Sequence, residues 1–278
     1  MNVRTLETIA LFSGAAGALA IALVACASFS GGDGPSAPAD DAARPPDPST
    51  DGLLPDGAAV PFDCKSHSND QGFLYCNDFE LPTESIYPFG FTSSTAPDSG
   101  ARIAVVEDGD RAHVLTVKLT LPTTGSRDVT LMQELPIVGP PPSLQLDFDV
   151  KIVTDDLSGV TLADLHLAGN SCEASFGLGA FGAKNVGTTR NPGIQLPYST
   201  EWRHVTVALL ADATSSTGYR EVSSYGGTPF ADRPVSASSG GSLTGCNSYA
   251  LRLGLLEYGG TGPSADVRYD NILVRRLP

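Results

Sequence analysis

Between Ser143 and Thr154 the chain alternates without a break. Leu144, Leu146, Phe148, Val150 and Ile152 fall on one parity, and Gln145, Asp147, Asp149 and Lys151 on the other. Successive strand side chains point to opposite faces, so this run is a β-strand with one dry face and one wet face. Similar period-two runs recur at 101–107, 113–121, 129–135, 161–168, 173–181, 204–210, 249–258 and 266–276. Helical periodicity is nearly absent there, and turn-rich intervals such as Gly139-Pro140-Pro141-Pro142 and Ser238-Ser239-Gly240-Gly241 separate the runs. Many antiparallel strands without intervening helices predict an all-β, two-sheet sandwich or barrel. No internal repeat of fixed period points to a propeller.

This strand pattern occupies 62–278, long enough for one sizeable domain with its own core. The stretch 26–61 is rich in Pro, Gly, Ser, Ala and Asp, with Asp33, Asp40, Asp41, Asp47, Asp51 and Asp56 set against Arg44. Such a composition has too little apolar surface to offset the entropy of ordering and reads as a disordered, self-repelling spacer. Ahead of it, Ile9 to Ala25 is an apolar run of about 17 residues, shorter than the ~20 of a spanning helix. Its length, and the small residues before Cys26, fit a cleaved signal peptide over 1–25.

Leu23-Val24-Ala25-Cys26 resembles the lipobox of bacterial lipoproteins. The resemblance implies removal of the leader before Cys26, lipid on that cysteine, and residence in the bacterial cell envelope, with Ala27 compatible with the outer membrane. Membrane contact would be through this lipid alone. Assigning Cys26 to lipid leaves Cys64, Cys76, Cys172 and Cys246, an even number in an oxidising compartment. Of the three possible connectivities we favour Cys64–Cys76, closing a short loop, and Cys172–Cys246, closing a long one. No C-x-x-C or Cys/His cluster points to a zinc site.

The ends of the domain carry a second resemblance. It opens with Asp78-Phe79-Glu80 and closes with Tyr269-Asp270-Asn271-Ile272-Leu273-Val274, and Trp202-Arg203-His204-Val205-Thr206-Val207 lies between. These segments are similar to the opening, closing and "W-x-H-V-x-V" strands of concanavalin A-like jelly rolls: laminin-G-like, MAM-type and carbohydrate-binding-module-like domains. The resemblance implies two packed antiparallel sheets with the first and last strands adjacent. It also implies a structural calcium held by Glu80 and Asp270, with Asp78 as a weaker ligand. The bland reading is that these carboxylates cap turns or meet arginines such as Arg268 and Arg275. Asn271 stands where a second Asp is common in the family, which lowers the site's charge.

Catalytic templates fit poorly. Glycosidases of this fold carry E-x-D-x-E, and the nearest match is Gln145-Leu146-Asp147-Phe148-Asp149. Its Gln cannot attack as a carboxylate does, and Asp149 is shorter than the Glu it replaces. The Arg/Gln/His/Tyr motifs of alginate-lyase-like members are missing. No H-x-x-x-H pairing involves His67, His113, His166 or His204, and no G-x-S-x-G elbow or phosphate loop occurs. Asp164 and His166 share the outer face of one strand and could poise a base, although alternating polar residues are ordinary on a wet face.

A formal net charge of −14 argues against nucleic acid and polyanionic glycans. Aromatic platforms remain. Trp202 begins an alternating strand and reads as core, while Tyr198, Tyr219, Tyr225, Phe230 and Tyr258 lie in or beside Gly/Ser-rich loops, where a sugar-binding rim could form. Packing under a loop is the plainer role for each. The sequence thus predicts a surface-tethered, non-catalytic domain binding a neutral glycan. The alternatives are a structural or adhesion module contacting envelope or extracellular proteins and, more weakly, a divergent polysaccharide hydrolase or lyase. No cofactor beyond calcium is expected.

Overall fold

The structure, a computed structural model, describes residues 62–278 apart from 69, 81–91, 96–100, 110, 121–126, 155–156, 158, 171, 183, 190–193, 236–242 and 259–263. Cys26, the leader and the spacer lie outside the described residues.

The domain is a two-sheet antiparallel sandwich. One sheet has eight strands: β3 (Ala101–Asp108), β4 (Arg111–Thr120), β6 (Leu144–Ile152), β11 (Arg203–Ala211), β12 (Tyr219–Tyr225), β13 (Thr228–Pro234), β15 (Ser264–Arg276) and β1 (Phe73–Asn77). Their order is β13-β12-β11-β6-β15-β4-β3, with β1 also paired to β15. The other sheet has seven strands in the order β10-β9-β8-β7-β14-β5-β2. These are β2 (Thr92–Thr95), β5 (Arg127–Glu134), β7 (Val160–Gly169), β8 (Cys172–Phe181), β9 (Asn185–Thr188), β10 (Leu196–Pro197) and β14 (Ser248–Tyr258). A one-turn helix, α1 (Cys64–His67), precedes β1; Asp63 caps it, accepting a hydrogen bond from the Lys65 amide.

The dry face of β6 is fully buried: Leu144, Leu146, Phe148, Val150 and Ile152 have no exposed surface. It meets the inward residues of the seven-stranded sheet, among them Leu162, Leu165, Leu167, Phe176, Leu178, Leu251 and Leu253, in one core. The first and last strands are neighbours, Cys76 opposite Leu273 and Asn77 opposite Ile272. The opening strand, however, ends at Asn77, one residue before Asp78-Phe79-Glu80. Phe79 takes a left-handed φ of 54° and is wholly buried, with its amide donating to Asn77 Oδ1 at 2.8 Å. That triplet is a turn plugged into the core by its phenyl ring, rather than a strand.

Disulfides join Cys64 to Cys76 and Cys172 to Cys246. The first ties α1 to β1. The second runs from the start of β8 to the residues just ahead of β14, the two strands that flank β7.

Two bulges shape the middle of the seven-stranded sheet. The β7–β8 register slips between Thr161 and Ala163, and the β7–β14 register slips between Leu253 and Leu256. Bulges leave backbone groups without ladder partners, and here one side chain from the opposite sheet serves both. The hydroxyl of Tyr269, from β15, lies 2.8 Å from the Leu162 carbonyl and 2.9 Å from the Gly254 carbonyl. Gly254 has φ +132°, and a Cβ there would run into the Val129 carbonyl oxygen, so glycine is required at this crossing.

Candidate functional site

Each sheet presents a polar outer face, and the two faces differ in kind. On the eight-stranded sheet, β6 is flanked by β11 and β15, so Asp147 and Asp149 are surrounded by donors. Gln145 Nε2 donates to both Asp147 oxygens, at 2.9 and 2.7 Å, and Thr206 Oγ1 donates to Asp147 Oδ1 at 2.9 Å. Asp149 accepts from Arg111 at 2.8 Å, from Asn271 Nδ2 at 2.8 Å and from His204 Nδ1 at 2.9 Å. Arg111 also donates to Asp270 Oδ2 at 2.6 Å and lies 4.2 Å above the Trp202 ring.

Burial pushes the Asp149 carboxyl up, but the His204 hydrogen bond, the Arg111 charge and the Asn271 bond outweigh it and hold the group below its ordinary value. Asp147 and Asp149 in turn raise His204 to about 9. Burial raises Asp270 to about 6 against the pull of Arg111. A glycosidase pair needs one free nucleophile and one protonated acid. Asp147 and Asp149 are instead tied carboxylates, and a second ion-pair network joins Asp108, Lys151, Arg268, Asp266 and Lys118 on the same sheet. This face braces the sheet.

The residues expected to hold calcium fall on this side. Asp270 is engaged by Arg111, and Glu80 lies 3.6 Å from His113 Nδ1. Asp78 accepts hydrogen bonds from the Cys64 and Glu80 amides at 3.2 and 3.4 Å. At Asp270 the compensating charge is a guanidinium. Among the described residues no group of three or more His, Cys, Asp or Glu is placed to hold a metal ion.

The described candidate rim aromatics take the plainer of their two expected roles, packing. Tyr219, Tyr225 and Phe230 are buried at 9%, 5% and 1% exposure, and Tyr198 packs against the core. The tyrosine hydroxyls are committed to backbone: Tyr219 donates to the Pro141 carbonyl at 2.6 Å and Tyr198 to the Thr154 carbonyl at 3.1 Å, while Tyr225 accepts from the Ser199 amide at 3.0 Å. An apolar ring gains more from the core than from an open loop, which is why the strands flanking these loops pull the rings inward. The side chain of Tyr258 lies outside the description.

The outer face of the seven-stranded sheet is different. Beside the paired bulges, β8, β7 and β14 enclose a cleft of about 140 Å³ lined by Thr161, Asp164, Glu173, Ser175, Arg252 and Leu256, among others. Cross-strand register builds it: Ser175 stands opposite His166, and Arg252 opposite Asp164. Asp164 is fully buried and grips Arg252 with both oxygens, Nε to Oδ1 at 2.8 Å and Nη2 to Oδ2 at 2.5 Å. Arg252 Nη2 also donates to Ser175 Oγ at 2.9 Å, and Ser175 Oγ lies 3.2 Å from His166 Nδ1. Gly177, opposite Asp164, has no room for a side chain, since a Cβ would come within 2.6 Å of the Asp164 Cα.

Burial, and then the charge of Arg252, push His166 below its ordinary value of 6.5, so the imidazole is neutral at neutral pH. Ser175 and the fixed Arg252 guanidinium line the cleft, and a neutral base, His166, lies within hydrogen-bonding reach of the Ser175 hydroxyl. Asp164 and His166 were visible in sequence as outward residues of one strand. Ser175 and Arg252 were not, because only the register of three strands brings them together. The glycines of Gly177-Leu178-Gly179 were the available signal, since glycine inside a strand marks a bulge or a close backbone approach.

The sequence matches no protein-family model and no curated protein. Solved structures share the fold. The endo-β-1,4-glucuronan lyase of the fungus Trichoderma reesei aligns with TM-score 0.54 at 13% identity, covering 73% of this chain and 95% of that one. The marine alginate lyase of Aplysia kurodai aligns with TM-score 0.53 at 9% identity over 74% and 98%. Alginate lyase Aly36B aligns with TM-score 0.52 at 13% identity over 75% and 100%. At these identities the likeness is one of fold, a jelly-roll sandwich of the concanavalin A-like kind. It corrects the expectation of a domain without catalysis: polysaccharide lyases are among the structures of this shape, so missing sequence motifs are no argument that the sheet faces are inert.

Proposed function

We propose that the protein is a carbohydrate-active enzyme of the bacterial cell envelope, held by lipid on Cys26, whose site is the β8–β7–β14 cleft. What supports this reading is the placement of His166 within 3.2 Å of Ser175, beside the Asp164–Arg252 clamp. A base kept unprotonated near neutral pH and aimed at a proton donor is the working part of general-base chemistry. Pockets that engulf a drug-sized ligand run to roughly 300–1,000 Å³, so at about 140 Å³ this cleft takes one sugar unit or a branch of a chain lying across the sheet.

Charge selects the substrate class. Among the described lining residues Asp164 and Glu173 stand against Arg252, which Asp164 already neutralises. Polyuronates would meet a locally acidic surface on an acidic protein, whereas a neutral glycan would not. The test is incubation with a panel of neutral and acidic polysaccharides, following unsaturated ends, reducing ends and released small acids. We expect product from a neutral glycan and its loss in His166→Ala at unchanged melting temperature. No product by any of the three readouts, or full activity in His166→Ala, would overturn the assignment.

A further inference from the structure

The direction of the hydrogen bonds around Ser175 defines its chemistry. Arg252 Nη2 can only donate, so at 2.9 Å it fixes Ser175 Oγ as an acceptor. The other partner of Ser175 Oγ is His166 Nδ1, at 3.2 Å. In the tautomer that carries the imidazole hydrogen on Nε2, that nitrogen accepts the serine proton. His166 sits in the neutral state this requires, being both half-buried and close to a guanidinium. A nucleophile and a base within hydrogen-bonding reach of each other is the first requirement of an activated serine. Here the register of adjacent strands supplies it, Ser175 facing His166 directly across β8 and β7.

We propose that Ser175 is a nucleophile and His166 its base, and that the cleft removes O-acyl groups from a neutral glycan. The proposal rests on the reading of this cleft as the carbohydrate site and names its reaction. In the first half, Ser175 Oγ forms a bond to the ester carbonyl carbon while its proton passes to His166 Nδ1. The carbonyl oxygen becomes an oxyanion beside the Arg252 Nη2 group, an N–H donor that Asp164 holds in place. Collapse breaks the bond between the acyl carbon and the sugar oxygen, which takes the proton from His166 and leaves as the free hydroxyl. In the second half, water adds to the acyl-serine with His166 again accepting a proton, and the carboxylic acid departs as Ser175 regains its hydrogen.

Three features of the cleft favour this step over elimination or glycosidic hydrolysis. Elimination from a uronate needs a cation for the substrate carboxylate, and Arg252, the lone cation of the described lining, is bound bidentately by Asp164. Glycosidic hydrolysis needs two carboxyl groups working on one bond, and of the pair available Asp164 is wholly buried under Arg252. The cleft is of a size for a short acyl branch, with Leu256 on its wall for the alkyl end.

The full-length protein, purified in detergent, is incubated with O-acetylated xylan and, separately, with a fluorophosphonate probe that labels activated serines. The expected result is acetate release, falling at least ~100-fold in Ser175→Ala and in His166→Gln, together with a single adduct mapped to the peptide holding Ser175. The fluorophosphonate arm reads the nucleophile independently of whether xylan is the preferred glycan. Acetate release that survives Ser175→Ala, or no adduct on Ser175, overturns the proposal. Unsaturated or reducing ends without acetate also overturn it, while leaving the cleft as the carbohydrate site. No product of any kind and no adduct remove both.

Discussion

Protonation of His166 is opposed by burial and by the Arg252 guanidinium beside it. The imidazole therefore stays neutral at pH values where an exposed histidine is already half charged. If it is the base, the acidic limb of the pH–rate profile has its midpoint below 6.5. Arg252→Gln removes the repelling charge and moves that midpoint upward, toward the ordinary histidine value, besides slowing the reaction. An acidic midpoint that does not move in Arg252→Gln would assign the titration to another group. His204 behaves in the opposite sense although it too lies on an outer sheet face. Asp147 and Asp149 hold it as a cation, raised to about 9, and an imidazolium cannot accept a proton. Two histidines of one sandwich are thus separated in role by which residues the neighbouring strands place beside them.

At the scale of strands, the cleft depends on the two bulges and on what satisfies them. Tyr269 reaches through the core from β15 to the carbonyls of Leu162 and Gly254. Tyr269→Phe keeps the ring and removes the hydroxyl, leaving both carbonyls buried without it. This should cost about 1–3 kcal/mol in a denaturant titration and lower turnover by loosening β7 against β14. Gly254→Ala should be at least as damaging, since the added methyl meets the Val129 carbonyl at a φ that L-residues rarely adopt. A Tyr269→Phe variant of unchanged stability would show that the bulge carbonyls find other partners.

The strands themselves were largely legible. The alternation of β6 foretold its buried face, because a strand half-buried in a sandwich must alternate. The β12–β13 hairpin was not foretold, although Gly226-Gly227, both at positive φ, is a strong hairpin signal between the alternating Tyr219–Tyr225 and Thr228–Pro234. The cleft was only half legible. A one-residue slip reverses which side chains share a face, and the bulges at 161–163 and 253–256 set the register that joins Ser175 and Arg252 to Asp164 and His166.

For the molecule as a whole, the bracing face sets how stability responds to pH. Asp270 is raised from 3.8 to about 6, so the folded state holds its proton more tightly than the unfolded chain. Its contribution is greatest at low pH and declines as pH rises between about 4 and 6. His204 is raised from 6.5 to about 9; its contribution is full below 6.5 and is lost as pH rises through 9. Asp149, held below 3.8, works the other way and is lost only in stronger acid. Unfolding free energy should therefore peak near pH 4–5 and fall toward pH 9. His204→Gln should flatten the upper half of that decline and leave the lower half in place. The Cys172–Cys246 bridge bears on the cleft instead, because it holds β8 and β14 on either side of β7. Replacing both cysteines by alanine should cost about 2–5 kcal/mol.

One outer face carries the proposed chemistry and the other braces the sheet, so substitutions on the two faces should act differently. The decisive measurement compares initial rates of product release from a neutral, O-acetylated polysaccharide for two variants that retain the native fold. One is Ser175→Ala in the cleft, and the other is His204→Gln on the eight-stranded sheet. Loss of turnover is expected in the first and a near-native rate in the second. Turnover that survives in Ser175→Ala and disappears in His204→Gln would contradict this assignment and move the active site to the opposite side of the sandwich.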